Sequence, residues 1–351
     1  MKILYSYNKK GYEGDCWATE ISLASNGEFK FIPFNHQYYL DPSLYDSAVK
    51  LDALYRNKDV RLFNLYKVFE EWISKEKIDA IIVANCPPYH PDFLRKLNVY
   101  KVLYSADDPG ATYAINIPYL HAYNHVFFVS PTYSSDMNLK EKMNYCGMRN
   151  ADWLPISVFD FEFSSNPYPD HEGSPRDIDL IYVGGFWRQK IQLLTDVKKA
   201  FGARFKLYGF FHLKHNLYLN VKYGFGSWIS PITHQERVQI YRRSKIGFNI
   251  HWSDYGLGNQ RLYHLPANGV MQISDCADSV NGIFERDKEI VSYKSSDDLV
   301  RKIKYYLDNN DERESIARAG WERVMLEYRF KDVTRRAGAL IKLGINNAAQ
   351  F

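Results

Sequence analysis

Twice along this chain a short run rich in β-branched and aromatic residues meets glycines and then a segment with helical spacing. KILYSY, Lys2 to Tyr7, precedes NKKGYEGD and CWATEISLAS, and Ile178 to Val183 precedes GGFWRQK and Ile191 to Phe201. An apolar run of that length bounded by glycine reads as a buried strand, and apolar residues three and four apart mark one face of a helix. Strand, helix and strand in repetition build a parallel sheet covered by helices. A chain of 351 residues is long for one core, so the repetition predicts two such domains, each Rossmann-like. The polar, proline-bearing segment Ser164 to Asp177 marks the junction, giving 1–160 as the first domain, 161–177 as the linker, 178–330 as the second domain and 331–351 as a last helix.

In the first half the opening loop lacks the G-x-G-x-x-G fingerprint of a dinucleotide site, yet Gly11 and Gly14 let backbone approach a ligand closely. Asp15 is expected at the tip of that loop, where a carboxylate caps the following helix or accepts a proton from a substrate hydroxyl. Leu51 to Ile73 reads as one long amphipathic helix, with strands at Asp79 to Asn85, Val102 to Ser105 and His125 to Ser130. Val102 to Ser105 runs into ADDPG, so Asp107 and Asp108 stand at a carboxyl end, the edge at which open α/β sheets bind ligands. Tyr12, Tyr38, Tyr39 and Tyr89 have the chemistry to stack on a sugar or a flat acceptor, though core and surface roles serve such residues equally.

The second half holds more polar groups at strand ends. Gly184 and Gly185 are expected to open a turn, and Arg188 and Lys190 stand at a helix start, where backbone donors and two cations converge on a diphosphate or simply face solvent. Arg204 to Tyr208, closed by Gly209, is the next strand. The densest stretch is Ser244 to Asp278: a strand from Ile246 to His251 carrying Asn249, glycines at 256 and 258, Asn259 as a cap, Arg261 in the first helical turn, and Gly269 after Asn268 as the stop. A helix opening after a glycine loop offers unpaired N–H groups to an anion. Pro266 requires that helix to be short or kinked. Val270 to Ser274 follows as a strand. YRRSK, Tyr241 to Lys245, reads as the solvated face of a helix, and Ser295 with Asp298 forms a capping-box pattern ahead of two further helices.

Other classes are poorly matched. A net charge of +4 without a run of like charges does not suggest a polyanion partner. Cys16, Cys86, Cys146 and Cys276 lie far apart, so neither a zinc knuckle nor a disulfide framework is indicated, and His212 with His215 has no third ligand nearby. No metal or cofactor is expected. The opening apolar run is too short for a signal peptide and no stretch reaches the length of a membrane span, so cytoplasm is the expected location.

Several segments carry a resemblance: LIYVGGFWRQK, KLYGF, IYRRSKIGFNIHW, RLYHLPANGVMQISD, GIFERDKEIVSY and, most distinctive, DERESIARAGWERV. From about Asp177 to Phe330 the chain resembles the GT-B glycosyltransferases, specifically the CgeB-like (spore maturation protein) group. SADDPG is similar to an acidic turn in that group's first domain, and the rest of that half matches in layout alone. The resemblance implies an acceptor domain, a donor domain, a cleft holding a nucleotide-sugar, and a last helix, Lys331 to Leu343, returning to the first domain. It implies metal-independent transfer, with Arg188, Arg261 and Lys190 neutralising the diphosphate leaving group, and with Asn268 and Gly269 near the sugar or ribose. Tyr208, Gly209, Asn249 and His251 complete the donor side, and Gly14, Tyr12 and Asp108 fall on the acceptor side. His264 departs from the R-x-x-E-x-x-A-x-G pattern: glutamate there accepts hydrogen bonds from ribose hydroxyls, whereas a neutral imidazole offers one acceptor.

The expected reaction moves a sugar, a hexose first, from a nucleotide-diphosphate donor to an acceptor hydroxyl. A UDP-sugar is the first guess for the donor. Inversion at the anomeric carbon requires a base, Asp15 first and Asp107 second; retention does not. A glycan, a small molecule, a protein or a modified DNA base all fit as acceptor. A GT-B nucleotide-binding protein that has lost catalysis, and a nucleotide-sugar epimerase on the same fold, are the alternatives.

Overall fold

The computed structural model describes residues 1–84, 88–105, 117–130, 139–163, 176–186, 188–211, 218, 221–223, 229–251, 259–275 and 282–348. The chain divides into two units, the first made of Met1–Ile156 with Phe330–Phe351 and the second of Ser157–Arg329.

The sheet of the first unit is six-stranded and all parallel, in the order β2-β1-β3-β4-β5-β6. Its strands are β1 (Lys2–Tyr7), β2 (Lys30–Asn35), β3 (Ala80–Ala84), β4 (Tyr100–Ser105), β5 (His125–Phe128) and β6 (Ala151–Trp153). Ile3 to Tyr7 are all buried, as a strand covered on both faces requires. Strand β2, KFIPFN, is absent from the periodicity reading. Pro33 lies within it opposite Tyr5, tolerated because the strand is at the sheet edge, where a residue without an N–H need not break the pairing.

Helix α1 (Gly11–Leu23) starts five residues before the expected position, so Gly14 and Asp15 are helical. A Cβ on Gly14 would come within 2.7 Å of the Lys9 carbonyl oxygen, which keeps the position small. The single helix expected over 51–73 is two, α2 (Ala48–Arg56) and α3 (Val60–Glu76). Lys58 breaks it with a φ of +51°, and the Asp59 carboxylate accepts from the Arg61 and Leu62 amides to start the second piece. Two short helices, α4 (Pro91–Leu94) and α5 (Leu139–Tyr145), complete this stretch.

In the second unit five parallel strands run in the order β11-β10-β9-β7-β8: β7 (Ile178–Phe186), β8 (Phe205–Phe211), β9 (Ser244–Asn249), β10 (Met271–Ser274) and β11 (Val291–Ser292). Helices α6 (Arg188–Phe201), α7 (His234–Arg242), α8 (Arg261–Ala267), α9 (Ser296–Asp308) and α10 (Asn310–Glu327) accompany them. Ser295 caps α9 by accepting from the Asp298 amide at 3.2 Å. Gly184 and Gly185 do not open a turn; β7 continues through them, pairing with Gly209 and Phe210. Helix α8 has seven residues, with Pro266 in its last turn and Gly269, φ +68°, just beyond its end. YRRSK is not a solvated face: Tyr241 is fully buried, while Arg243 and Lys245 pair with Asp177 and Asp179.

The last helix, α11 (Phe330–Ala348), belongs to the first unit. Phe330 lies against Tyr5 and Trp17, with ring centroids 6.0 and 6.2 Å away, and Arg335 donates to the Ala24 carbonyl at 3.0 Å.

Candidate functional site

The strand order of the second unit reverses at β7, which has β8 on one side and β9 on the other. Ligands of open α/β sheets bind beyond the carboxyl ends of the strands at such a point. A cavity of roughly 350 Å³ lies there, walled by Val183 and Gly184 of β7, Gly209 of β8, Arg237 and Tyr241 of α7, and the Asn259–His264 segment at the start of α8.

Arg261 is the first residue of α8 and is held from three sides. Its Nε donates to the Val183 carbonyl at 2.7 Å, its Nη1 donates to Asn249 Oδ1 at 2.8 Å, and its guanidinium carbon lies 4.3 Å from the Tyr182 ring centroid. A Cβ on Gly184 would overlap Arg261 Nη2, so glycine there is a requirement of space. Asn249 and Asn259 exchange amide hydrogen bonds at 2.9 and 3.0 Å. Asn259 Oδ1 also accepts from the Leu262 amide at 3.1 Å, satisfying one N–H of the helix opening.

His251 is fixed by Asp275, a residue the sequence reading did not single out. The carboxylate accepts from the His251 amide at 2.8 Å and from ring Nδ1 at 2.6 Å, which places the proton on Nδ1 and leaves Nε2 facing the Asn249 amide at 3.4 Å. Lys190 is buried and donates to the Ile250 carbonyl at 2.8 Å. Burial, aided by the charge of Arg261, pulls its ammonium down to about 8.

The other side of the cavity is organised by Glu162, a residue of the expected linker. A short 3₁₀ turn, Asp160–Glu162, carries it into the second unit, where its side chain is 3% exposed. Oε1 accepts from Arg237 Nη2 at 3.0 Å, and Oε2 accepts from His264 Nε2 at 2.9 Å and from the Phe159 amide at 3.2 Å. Burial alone would raise this carboxyl, but His264, Arg237 and the Phe159 amide outweigh it and hold it at about 2. Burial lowers His264 below its ordinary value against the pull of Glu162. The flanking Phe159, Phe161 and Phe163 were the available sign that this segment packs rather than drifts.

Of the residues singled out in sequence, Gly184, Gly209, Arg261 and His264 line the cavity, and Asn249 braces Arg261. Lys190 and His251 tie into the adjoining strand ends through Ile250, Asp275 and Asn249. Gly185 lies within β7, and Arg188 opens α6. Tyr208 packs with Ile181, Tyr241 and Leu265 in a small apolar cluster. Asn268 and Gly269 end α8 and do not line the cavity; Asn268 Nδ2 donates to the Glu162 and His264 carbonyls at 3.1 and 2.9 Å. In the first unit Asp15 sits on the exposed side of α1 rather than at a loop tip, Tyr12 is exposed, and Gly14 is buried in the same helix. Asp107 and Asp108 lie outside the described residues, as do His212, His215, Cys86, Cys276, Gly256 and Gly258. Among the described residues no three His, Cys, Asp or Glu side chains group as metal ligands, and no helix is long and apolar enough to cross a membrane.

Residues 188–338 match the family described as Glycosyl transferase-like. That span begins at α6 and ends within α11. No curated protein matches the chain. Among solved structures, the chain is similar to sucrose-phosphate synthase from Thermosynechococcus elongatus, with a TM-score of 0.65 at 12% identity over 99% of both chains. Similarity extends to Anabaena HepE solved with UDP, TM-score 0.59 at 11% identity over 97% of this chain and all of that one. It extends also to a putative UDP-N-acetylglucosamine 2-epimerase from Listeria monocytogenes, TM-score 0.59 at 14% identity over 99% of this chain and 97% of the other. Residues 188–338 thus carry a glycosyl transferase-like domain, and the fold of the chain is that of GT-B structures.

Proposed function

We propose that the protein transfers a sugar from a nucleotide-diphosphate donor, a UDP-sugar first, to an acceptor hydroxyl without a metal ion, and that it belongs to the CgeB-like group of GT-B enzymes. The observation that carries this reading is Arg261 at the opening of α8, braced on Val183 and Asn249 beside Gly184 on the wall of the cavity. Cleavage of the glycosidic bond leaves negative charge on the diphosphate, and a fixed guanidinium beside close-approaching backbone is the group that stabilises it. Lys190, in the first turn of α6, supplies further positive charge near Arg261, and Arg188 is a further candidate cation. The relative solved with UDP supports uridine as the base to try first, and DERESIARAGWERV supports the subgroup. Asp15 is the first candidate base if the transfer inverts configuration, and Asp107 the second.

The test is a thermal-shift panel of UDP, GDP, dTDP, CMP and ADP, each with and without magnesium. UDP at about 100 times its dissociation constant should stabilise the protein by roughly 2.7 kcal/mol, equally in both buffers. Arg261→Ala should weaken binding or turnover by about 10²-fold with the fold intact. Absence of any nucleotide shift would remove the donor assignment. A second reading, epimerisation, is favoured by the likeness to the putative 2-epimerase; it predicts free nucleotide and an altered sugar from a UDP-sugar with no acceptor present.

A further inference from the structure

His264 and Glu162 are 102 positions apart in sequence yet share a buried hydrogen bond of 2.9 Å. The imidazole lines the cavity, whereas the carboxylate stands behind it. An ionised carboxylate accepts hydrogen bonds and donates none, so the ring nitrogen facing it must carry the proton. Here that nitrogen is Nε2. Neutral imidazole has one proton to place, and with Nε2 protonated Nδ1 is a bare acceptor. Nδ1 has no protein partner among the described residues. Glu162 also pairs with Arg237 at 3.0 Å, so the wall around His264 is polar and charge-balanced, which suits a ligand hydroxyl better than a phosphate.

We propose that Glu162 is a positioning residue that locks His264 in the Nε2–H tautomer, so that the cavity takes hold of a single ligand hydroxyl through Nδ1 rather than a vicinal pair. A carboxylate at the same place would accept from two neighbouring hydroxyls at once. One bare imidazole nitrogen accepts from one, and the second hydroxyl contributes little. The site therefore tolerates a deoxyribose nucleotide at one of the two hydroxyl positions. This rests on the cavity being the nucleotide-sugar site proposed above.

The experiment has an arm that needs no ligand. Long-range proton–nitrogen spectra of the free protein separate protonated from bare imidazole nitrogens, and His264 is assigned by the signal missing from His264→Leu. Nε2–H is expected in the wild type, and a mixture of tautomers in Glu162→Gln. A protonated Nδ1 in the wild type, or an unchanged tautomer in Glu162→Gln, overturns the role of Glu162. The second arm compares UDP, 2′-deoxy-UDP and 3′-deoxy-UDP. One of the two deoxy forms should bind about fivefold to tenfold more weakly than UDP, and the other within about twofold of it. His264→Leu, which leaves the Glu162–Arg237 pair in place, should bind all three alike, and it decides the matter if Glu162→Gln fails to fold. Equal penalties for both deoxy forms, or a penalty that survives His264→Leu, overturn the single-hydroxyl contact. Failure of UDP to bind the wild type overturns this contact along with the nucleotide reading, while the spectra still decide what Glu162 does to His264.

Discussion

A buried carboxylate whose partners are all in place should leave a mark on acid stability, and Glu162 is such a group. Its folded value of about 2 lies below the ordinary 4.5, so its contribution is complete above about pH 4.5 and is lost as the pH falls from there towards 2. His264 acts in the same direction. Burial lowers it from 6.5, so the unfolded chain takes up a proton there first as the pH falls, and stability begins to drop before Glu162 titrates. Urea midpoints of the second unit measured from pH 7 to pH 3 should therefore fall, and Glu162→Gln should flatten the lower part of that profile. An identical slope in the variant would remove Glu162 as a determinant of acid stability. The same residue shows why the site was only partly legible. Arg261 announces itself by following glycines and opening a helix, whereas Glu162 acts through contacts 102 and 75 positions distant, which no local pattern encodes.

At the scale of elements, the site depends on how closely α8 lies over β9. A Cβ on Gly247 would come within 2.5 Å of Leu265 Cδ2 and 2.9 Å of Cδ1, so Gly247→Ala forces the buried Leu265 side chain of α8 to repack. The expected cost is about 1 to 3 kcal/mol, as for other overpacked cores. Nucleotide binding should weaken too, because Arg261 and His264 ride on that helix. A denaturation midpoint equal to that of the wild type would show that α8 has slack here. Most strands and helices were visible as periods: β1 falls where its apolar run ends, Ser295 and Asp298 mark the start of α9, and Gly269 marks the end of α8. The failures have distinct physical causes. Pro33 masked β2 because a proline argues against a strand, and at an edge that argument loses its force. Lys58 split one amphipathic run into α2 and α3 by adopting a left-handed conformation that side-chain hydrophobicity does not record. Glycines 184 and 185 read as a turn in sequence, but β7 pairs through both, and at 184 the missing side chain leaves room for the Arg261 guanidinium.

For the whole molecule, the order of the chain and the composition of the units differ, and that difference can be tested. Helix α11 comes last in sequence and completes the first unit, where Phe330, Val333, Ala337 and Ile341 are buried, Arg335 reaches the Ala24 carbonyl, and Lys342 pairs with Glu28 at 2.7 Å. Gly338 packs on the Phe29 ring, where an added Cβ would come within 3.1 Å, and a Cβ on Gly344 would overlap the Tyr100 hydroxyl. Burying a side chain of the size of Phe or Ile contributes about 1.5 to 3 kcal/mol, so loss of this face removes on the order of 5 kcal/mol or more. That is comparable with the whole stability of a typical domain, about 5 to 15 kcal/mol. Ending the chain at Arg329 should thus unfold the first unit, although the removed segment lies far from β1 in sequence. The cavity, whose walls all come from 183–264, should survive. Calorimetry of the full chain should show more than one transition if the units unfold separately. In the truncated chain the transition that UDP shifts should persist, and the other should vanish or move far down in temperature. Retention of both transitions would mean that the first unit folds without its last helix, and loss of both would mean that the second unit depends on the first for its own stability.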